Sequence, residues 1–535
     1  MPAGAHAAGG ARASACPGLL RIVAAKDGGL CRIKLPGGAL SAAQAHAIAD
    51  ACTRYAAGAI EVTNRANLQV RGVRAGQEQA LIDALVKAGL GPMRPLRDAT
   101  DSCDAGTAAA SVDAASAIAA DDIRNVMISP VAGRDPSALF DTTPLCADLL
   151  TLLQNEPRFA ALSPKFALLL DGGERLARID HPHDVWLAAI PADDGVRFVF
   201  GLAGCPPEAV GSDAQDPTVQ SAVSALATAS PSALPTTPTA SHIPHIPHIP
   251  HIPRHTNRNE RSIALAAVSP GQVPTLIRAL LHTFLDLAAS DATRMRDLLA
   301  THSVDAILHH AQRHADFPLT RDIALTHWRR SVPADAMLRL GAHPQRPPGI
   351  WHAGGQPPLG RLSADALRGL AELAQRHNHG TLRMTPWQSV LLPDISTDAV
   401  PAVLDGLNAL GLATRIADPI ARLIACAGSS GCAKSLADTK ADALQLASHV
   451  PAHVELHLSG CPRSCAAAHC APYTLLASAP SVYDLYRRDG QQGFGQCIAQ
   501  RLTPAEAAGA LASIDHDRPH PTPPRAPQPT DTTHA

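Results

Sequence analysis

The stretch LSAAQAHAIADACTRYAAGAIEVTNRANLQVRGVRAGQEQALIDALVKAGL, Leu40–Leu90, has a counterpart later in the chain. It is LSADALRGLAELAQRHNHGTLRMTPWQSVLLPDISTDAVPAVLDGLNALGL, Leu362–Leu412. A shift of 322 residues superimposes the two without a gap: Leu40-Ser41 falls on Leu362-Ser363, Ile48 on Leu370, Gly58 on Gly380, Thr63 on Thr385, Val73 on Ile395, Leu85 on Leu407 and Gly89-Leu90 on Gly411-Leu412. A constant offset held over this length marks an internal duplication.

Each copy reads the same way. Ser41 and Ser363 are N-cap candidates. Apolar residues then recur at helical spacing, as Ala45, Ile48, Ala49 and Cys52 in one copy and Leu367, Leu370, Ala371 and Ala374 in the other. A glycine ends the helix. A strand follows (Ala59–Val62, Thr381–Met384), then a turn and a second strand (Leu68–Val73, Val390–Ile395), then a second helix (Glu78–Ala88, Val400–Leu410) closed by Gly89 or Gly411. This strand–helix–strand–strand–helix wiring is ferredoxin-like. Two such half units predict a pseudo-twofold pair enclosing a site.

The expected class is α+β. Half unit 1 spans 16–95 and half unit 2 spans 350–415. A central α/β domain spans 115–340, with strand-like runs in Asp121–Val131, Phe166–Leu170 and Val185–Leu202 and helical patterns in Val273–Ala289, Thr293–Leu299 and Asp305–Ala311. A C-terminal α/β segment spans 416–514. The insert 211–261 and the tail 515–535 are rich in Ala, Ser, Thr and Pro and read as disordered. The insert holds HIPHIPHIPHIP, His242–Pro253. In a polyproline helix successive histidines stand roughly 9 Å apart, too far for neighbours to share one ion, so the repeat reads as a semi-rigid linker.

The 535 residues carry 46% hydrophobic and 17% charged residues, an ordinary globular balance, with aromatics at only 3%. A net charge of −2 excludes a general nucleic-acid binder with a broad basic field. No apolar run is long enough for a membrane span. Met1–Ala15 lacks a basic region followed by an apolar core, so no signal peptide is expected and the chain reads as cytoplasmic.

In that compartment the 12 cysteines are not expected to form disulfides. Six fall in the last segment, five of them in IACAGSSGCAKS (Ile424–Ser435) and LSGCPRSCAAAHC (Leu458–Cys470). Cys426 and Cys432 are separated by five residues, Cys461 and Cys465 by three. Zinc pairs usually leave two to four residues between ligands, so the first pair is loose for zinc. Four thiolates in two pairs suit a [4Fe–4S] cube, with Gly428–Gly431 letting the loop curl. Zinc and unligated thiols are the other readings. Cys16, Cys31, Cys52, Cys103, Cys146, Cys205 and Cys497 are scattered and read as structural, and His469 and Cys470 as incidental neighbours.

This C-x5-C and C-x3-C pattern, behind two ferredoxin-like half units, resembles the sulfite/nitrite reductase superfamily over nearly the whole chain. The resemblance implies that Cys426, Cys432, Cys461 and Cys465 hold the cluster, and that Cys465 stands where the family bridges to sirohaem. IEVTNRANLQVRGV resembles the family's TTRQ-type segment and offers Arg65 to a bound anion. IRNVMISPVAG is similar to the RNV motif and offers Arg124. LSPKFALLLDGG resembles LPRKFK and keeps Lys165, but Ala167 replaces the second basic or amide residue, which weakens the match to a sulfite or nitrite site.

One branch fits better. ACPGLLRIVAAKDGGLCRIKLPGGALS, Ala15–Ser41, resembles the opening of precorrin-3B synthases, with Cys16-Pro17-Gly18, Asp27-Gly28 and Pro36-Gly37-Gly38 in place. That resemblance implies an oxygen-dependent monooxygenase of aerobic cobalamin biosynthesis. It would hydroxylate precorrin-3A at C20 with closure of a γ-lactone, using a [4Fe–4S] cluster and a mononuclear non-haem iron. No convincing G-x-G-x-x-G follows a strand, so an external NAD(P)H-driven reductase or ferredoxin would supply electrons. No catalytic residue is assigned. His46, His181, His183 and His352 are available histidines, none of them marked as an iron ligand. The competing readings are a sirohaem-dependent sulfite or nitrite reductase and, from another class, a non-catalytic iron–sulfur carrier or sensor.

Overall fold

A computed structural model describes residues 16–92, 116–208, 263–467, 471–489 and 493–516. The insert 211–261, most of the tail, Cys103, His469 and Cys470 lie outside the described residues.

The first half unit runs β1 (Val23–Ala25), β2 (Gly28–Ile33), β3 (Ala39–Ser41), α1 (Ala42–Tyr55), β4 (Ala59–Val62), β5 (Leu68–Val73) and α2 (Glu78–Lys87). The central segment adds β6 (Val126–Met127), α3 (Thr142–Asn155), β7 (Leu168–Asp171), β8 (His183–Ala192), β9 (Gly195–Gly204), β10 (Ala266–Val268), α4 (Val273–Leu287) and α5 (Val304–Ala311). The second half unit runs β11 (Gly341–Pro344), β12 (Ile350–Gly355), β13 (Arg361–Ser363), α6 (Ala364–His377), β14 (Thr381–Met384), β15 (Val390–Ser396) and α7 (Val400–Ala409). Last come β16 (Leu423–Ala425), α8 (Thr439–Leu446), β17 (Leu456–Ser459), β18 (Tyr473–Ala479), β19 (Val482–Arg487), β20 (Gln496–Leu502) and α9 (Pro504–His516).

The half units are interlocked. Their sheets are ordered β1-β2-β5-β4-β13 and β11-β12-β15-β14-β3, so each copy lends a strand to the other. The exchange obeys the repeat: Leu362 pairs with Ile60, and Leu40 with Leu382. It is sealed by two equivalent backbone bonds, Ala42 N to the Gly380 carbonyl at 2.8 Å and Ala364 N to the Gly58 carbonyl at 3.1 Å. The serines cap as their positions require. Ser41 Oγ accepts from Gln44 N and the Gln44 side chain accepts from Ser41 N, both at 3.1 Å; Ser363 Oγ accepts from Ala366 N. Each cap is worth about 1 kcal/mol. The apolar faces of α1 and α6 are buried in one core with both sheets. Gly38 sits at φ +68° where a Cβ would lie 2.0 Å from the Met384 carbonyl oxygen, so glycine is needed for the chain to pass the second copy's strand.

A second duplication is visible only in three dimensions. The central sheet is ordered β10-β9-β8-β7-β6 and the C-terminal sheet β16-β17-β18-β19-β20. In each, the first three strands in chain order are parallel and the last two pair antiparallel. Among the described residues no helix is long and apolar enough to cross a membrane.

Candidate functional site

The C-terminal ends of parallel strands are where open α/β sheets place ligands. Cys426 directly follows β16, and Cys461 follows β17 by two residues. Gly428, at φ +72°, lets the chain fold back so that Cys432 N reaches the Gly428 carbonyl at 2.8 Å. The Cys426 sulfur accepts from Gly460 N at 3.3 Å and lies 3.4 Å from the Thr439 hydroxyl, donors suited to a thiolate. Burial raises the pKa of the Cys465 thiol, and the charges of Cys461, Cys426 and Cys432 raise it further. The other three cysteines thus lie near enough to Cys465 for their charges to reach it.

Four cysteine thiols on loops that follow two neighbouring parallel strands form a donor set suited to an iron–sulfur cube.

Half unit 1 grips this loop. Lys26 Nζ donates to the Ser429 carbonyl at 2.7 Å, and Arg71 donates to the Gly431 carbonyl at 2.8 Å while bonded to Asp27. Asn64 Nδ2 donates to the Cys465 carbonyl at 3.2 Å. Beneath it, Glu61 on β4 meets Arg361 at 2.7 Å, Arg71 at 3.6 Å and Lys440 at 3.7 Å, joining both half units to the cluster segment. Burial works to raise the Glu61 pKa, but Lys440, Arg71 and Arg361 outweigh it and hold the carboxyl low.

Near the cysteine-bearing loops lies a narrow cleft, lined among others by Gly37, Arg65, Arg124, Ala167 and His183. Arg65 and Arg124 therefore share one cavity. Burial, then the neighbouring charges of Arg294 and Arg32, push Arg65 down to about 10. Arg32 in turn feels the charge of Cys465, which links Arg65 and its cationic neighbour to the cysteine loop. Burial also lowers Arg124, against the opposing charge of Asp121 at 3.5 Å, and its Nη1 is buried without a hydrogen bond. Crowded guanidiniums of this kind favour an anionic ligand.

Lys165, expected beside them, is exposed and does not line the cleft. The chain turns at Ser163–Phe166, with Phe166 N bonded to the Ser163 carbonyl; this sends Phe166 into the core and leaves Lys165 outside. Ala167 does line the cleft, and its amide donates to Asp184 at 2.8 Å. Asp184 is also held by Arg294 at 2.9 Å and Met295 N at 2.7 Å, and so fixes the start of β8.

That strand carries His183, 1% exposed, with neither ring nitrogen hydrogen-bonded. Burial and the charges of Arg65 and Arg294 push it down to about 3, so it is neutral. The His181 ring lies 5.4 Å away, edge-on. His352 is buried elsewhere, bonded to the Leu338 carbonyl, and His46 lies on α1. Arg32, Asp184 and Arg294 were not singled out in the sequence. Their charges act on Arg65 from three separate segments, and no local motif connects them.

These features define a class. The profile of the nitrite/sulfite reductase ferredoxin-like half domain matches residues 23–88 and 343–410, and that of the nitrite and sulphite reductase 4Fe-4S domain matches 119–226. The second match falls on the central sheet rather than the cysteine-bearing one, which shares its strand order. Both profiles are those of nitrite and sulfite reductases, and the chain is similar to oxidoreductases of that superfamily.

Within it, the chain is 27% identical to the chloroplastic ferredoxin–nitrite reductase of Zea mays over 82% of its own length and 67% of the relative's. It thus spans about two thirds of that enzyme. It is 26% identical to the ferredoxin–nitrite reductase of Synechococcus elongatus over 86% of the chain and 77% of the relative. It is 25% identical to precorrin-3B synthase of Sinorhizobium sp over 89% of the chain and 82% of the relative. The fold matches that of Mycobacterium tuberculosis NirA protein, with a TM-score of 0.65 over 93% of this chain and 82% of that one at 20% identity.

Proposed function

We propose that the chain is a precorrin-3B synthase, hydroxylating precorrin-3A at C20 with γ-lactone formation. The observation that carries this reading is Ala167: the cleft keeps Arg65 and Arg124 but has a methyl group where the reductase motif places a basic or amide side chain. A small anion needs every such contact, whereas a tetrapyrrole polycarboxylate spreads its charge over several arginines. The near-full mutual coverage with the Sinorhizobium enzyme supports the same reading.

Arg65 and Arg124 would pair with acetate and propionate groups, and Arg32 would keep the wall beside the cluster positive. Neutral His183 offers one donor and one acceptor nitrogen to the ligand side. Its two unpartnered nitrogens, with His181 beside it, also fit the imidazole donors of a mononuclear non-haem iron, which when bound would supply oxygen activation. Cys426, Cys432, Cys461 and Cys465 would hold the [4Fe–4S] cluster, which passes single electrons. The reaction consumes O2, two electrons from an external reductase or ferredoxin, and two protons; one oxygen atom enters the product and the other leaves as water.

A sirohaem-dependent nitrite reductase is the second reading, favoured by the chloroplastic relatives at comparable identity. Extraction of the purified protein separates the two. The first reading requires cluster iron and sulfide with no sirohaem; stoichiometric sirohaem would support the second.

A further inference from the structure

We propose that Asp286, His310 and His314 form a divalent transition-metal site of zinc type on the central segment, separate from both the cluster and the cleft. Their ligand atoms all lie within 4.8 Å of one another, and none of the three lines the cleft. His310 lies on α5 and His314 in the 3-10 turn that continues it, so the two stand i and i+4 on one face. Asp286 lies at the end of α4, which packs against them.

The carboxylate Oδ2 is 3.8 Å from His310 Nε2 and 3.7 Å from His314 Nε2. These separations are too long for hydrogen bonds. A tetrahedral ion at 2.0–2.1 Å sets its ligands about 3.4 Å apart, so a contraction of a few tenths of an ångström would seat one.

The outer atoms are already organised. The other carboxylate oxygen, Oδ1, accepts from Arg158 at 2.7 Å, which leaves Oδ2 for the ion. His310 Nδ1 lies 3.4 Å from the hydroxyl of buried Thr283, which orients the ring with Nε2 inward. His282 stacks on His314 with ring centroids 5.1 Å apart and is itself 3.6 Å from Glu156. Such support is what metal-bound imidazoles and carboxylates require. The three side chains are 15–30% exposed, so an ion and a completing water can enter from solvent. Two imidazoles and one carboxylate suit zinc. That none of the three lines the cleft argues for a structural clamp between α4 and α5 rather than a part in catalysis.

The test is anaerobic titration of the full, cluster-loaded chain with zinc sulfate, after chelator treatment that leaves cluster iron intact. Wild type is compared with His314→Gln and, separately, Asp286→Asn. Any ion taken up by the His242–His251 repeat is common to all three proteins, so the readout is the difference. Each variant should lose one equivalent of zinc, or bind it roughly tenfold or more weakly. Each should also lose the zinc-induced rise in melting temperature seen in wild type, while melting normally without metal. Equal stoichiometry, affinity and zinc-induced shift in wild type and both variants would overturn the site.

Discussion

Asn64 and Cys465 are joined by a 3.2 Å hydrogen bond from side-chain amide to backbone carbonyl, across 401 residues of sequence. The residue after Asn64 is Arg65, which lines the cleft. The turn that presents the arginine and the loop that presents the fourth cysteine therefore touch. Under the proposed function, the ligand would therefore sit beside the cluster.

Cluster assignment is tested cysteine by cysteine. Cys426→Ser, Cys432→Ser, Cys461→Ser and Cys465→Ser should each abolish or cripple the paramagnetic signal of the reduced [4Fe–4S] centre. Cys16→Ser and Cys497→Ser should leave it unchanged. A normal spectrum from the Cys432 variant would sink the assignment.

The arginine wall is tested by binding. Arg65→Ala or Arg124→Ala should weaken precorrin-3A binding by roughly 1.5–3 kcal/mol, the worth of a charge-assisted hydrogen bond, or about tenfold to a hundredfold in Kd. Lys165→Ala should have little effect, because its side chain is exposed and outside the cleft. A Lys165 variant that binds as poorly as the Arg65 variant would contradict this placement.

For His183, the readout is metal content. His183→Ala should retain the cluster spectrum and lose iron in excess of the four atoms of the cube. Unchanged excess iron would leave His183 as a ligand-side hydrogen-bonding group and remove it from the metal.

Much of this was legible in the sequence because the half units repeat. The offset of 322 aligns α1 with α6, β4 with β14 and α2 with α7, since in each copy the same face must be apolar and the same glycines must end the helices. The strand exchange was not legible: β3 and β13 are three residues long, and nothing local tells a short strand which sheet to join. Helix α3 was missed although Asp141 caps it and Leu145, Leu149, Leu150 and Leu153 are buried on one side; it lay between two strand-like runs. The second duplication escaped because its copies share strand order rather than residues. The two cysteine pairs stand out in the sequence by their spacing. Arg32, Asp184 and Arg294 do not, because they converge through the fold.

A buried carboxyl gives a pH prediction. Glu174 is fully buried, with one oxygen accepting from Gly172 N at 2.9 Å and the other without a partner. Burial, then the charge of Asp171, raises its pKa well above the ordinary range. The folded chain thus keeps a proton that the unfolded chain releases above about pH 4.3, and stability falls as pH rises from there through the folded pKa. Glu174→Gln keeps the neutral form. Its melting temperature relative to wild type should climb between pH 5 and pH 9. A pH-independent difference would show that Glu174 is ionised in the fold.

The central claim is that this cleft holds a tetrapyrrole as substrate. The decisive measurement is turnover of precorrin-3A by the cluster-loaded protein with O2 and an NAD(P)H-driven electron donor, followed by mass spectrometry with 18O2. The expected product is a hydroxylated γ-lactone carrying one labelled oxygen, formed only when both O2 and donor are present, with negligible reduction of nitrite or sulfite. Stoichiometric sirohaem together with rapid six-electron reduction of either anion, and no lactone, would contradict it.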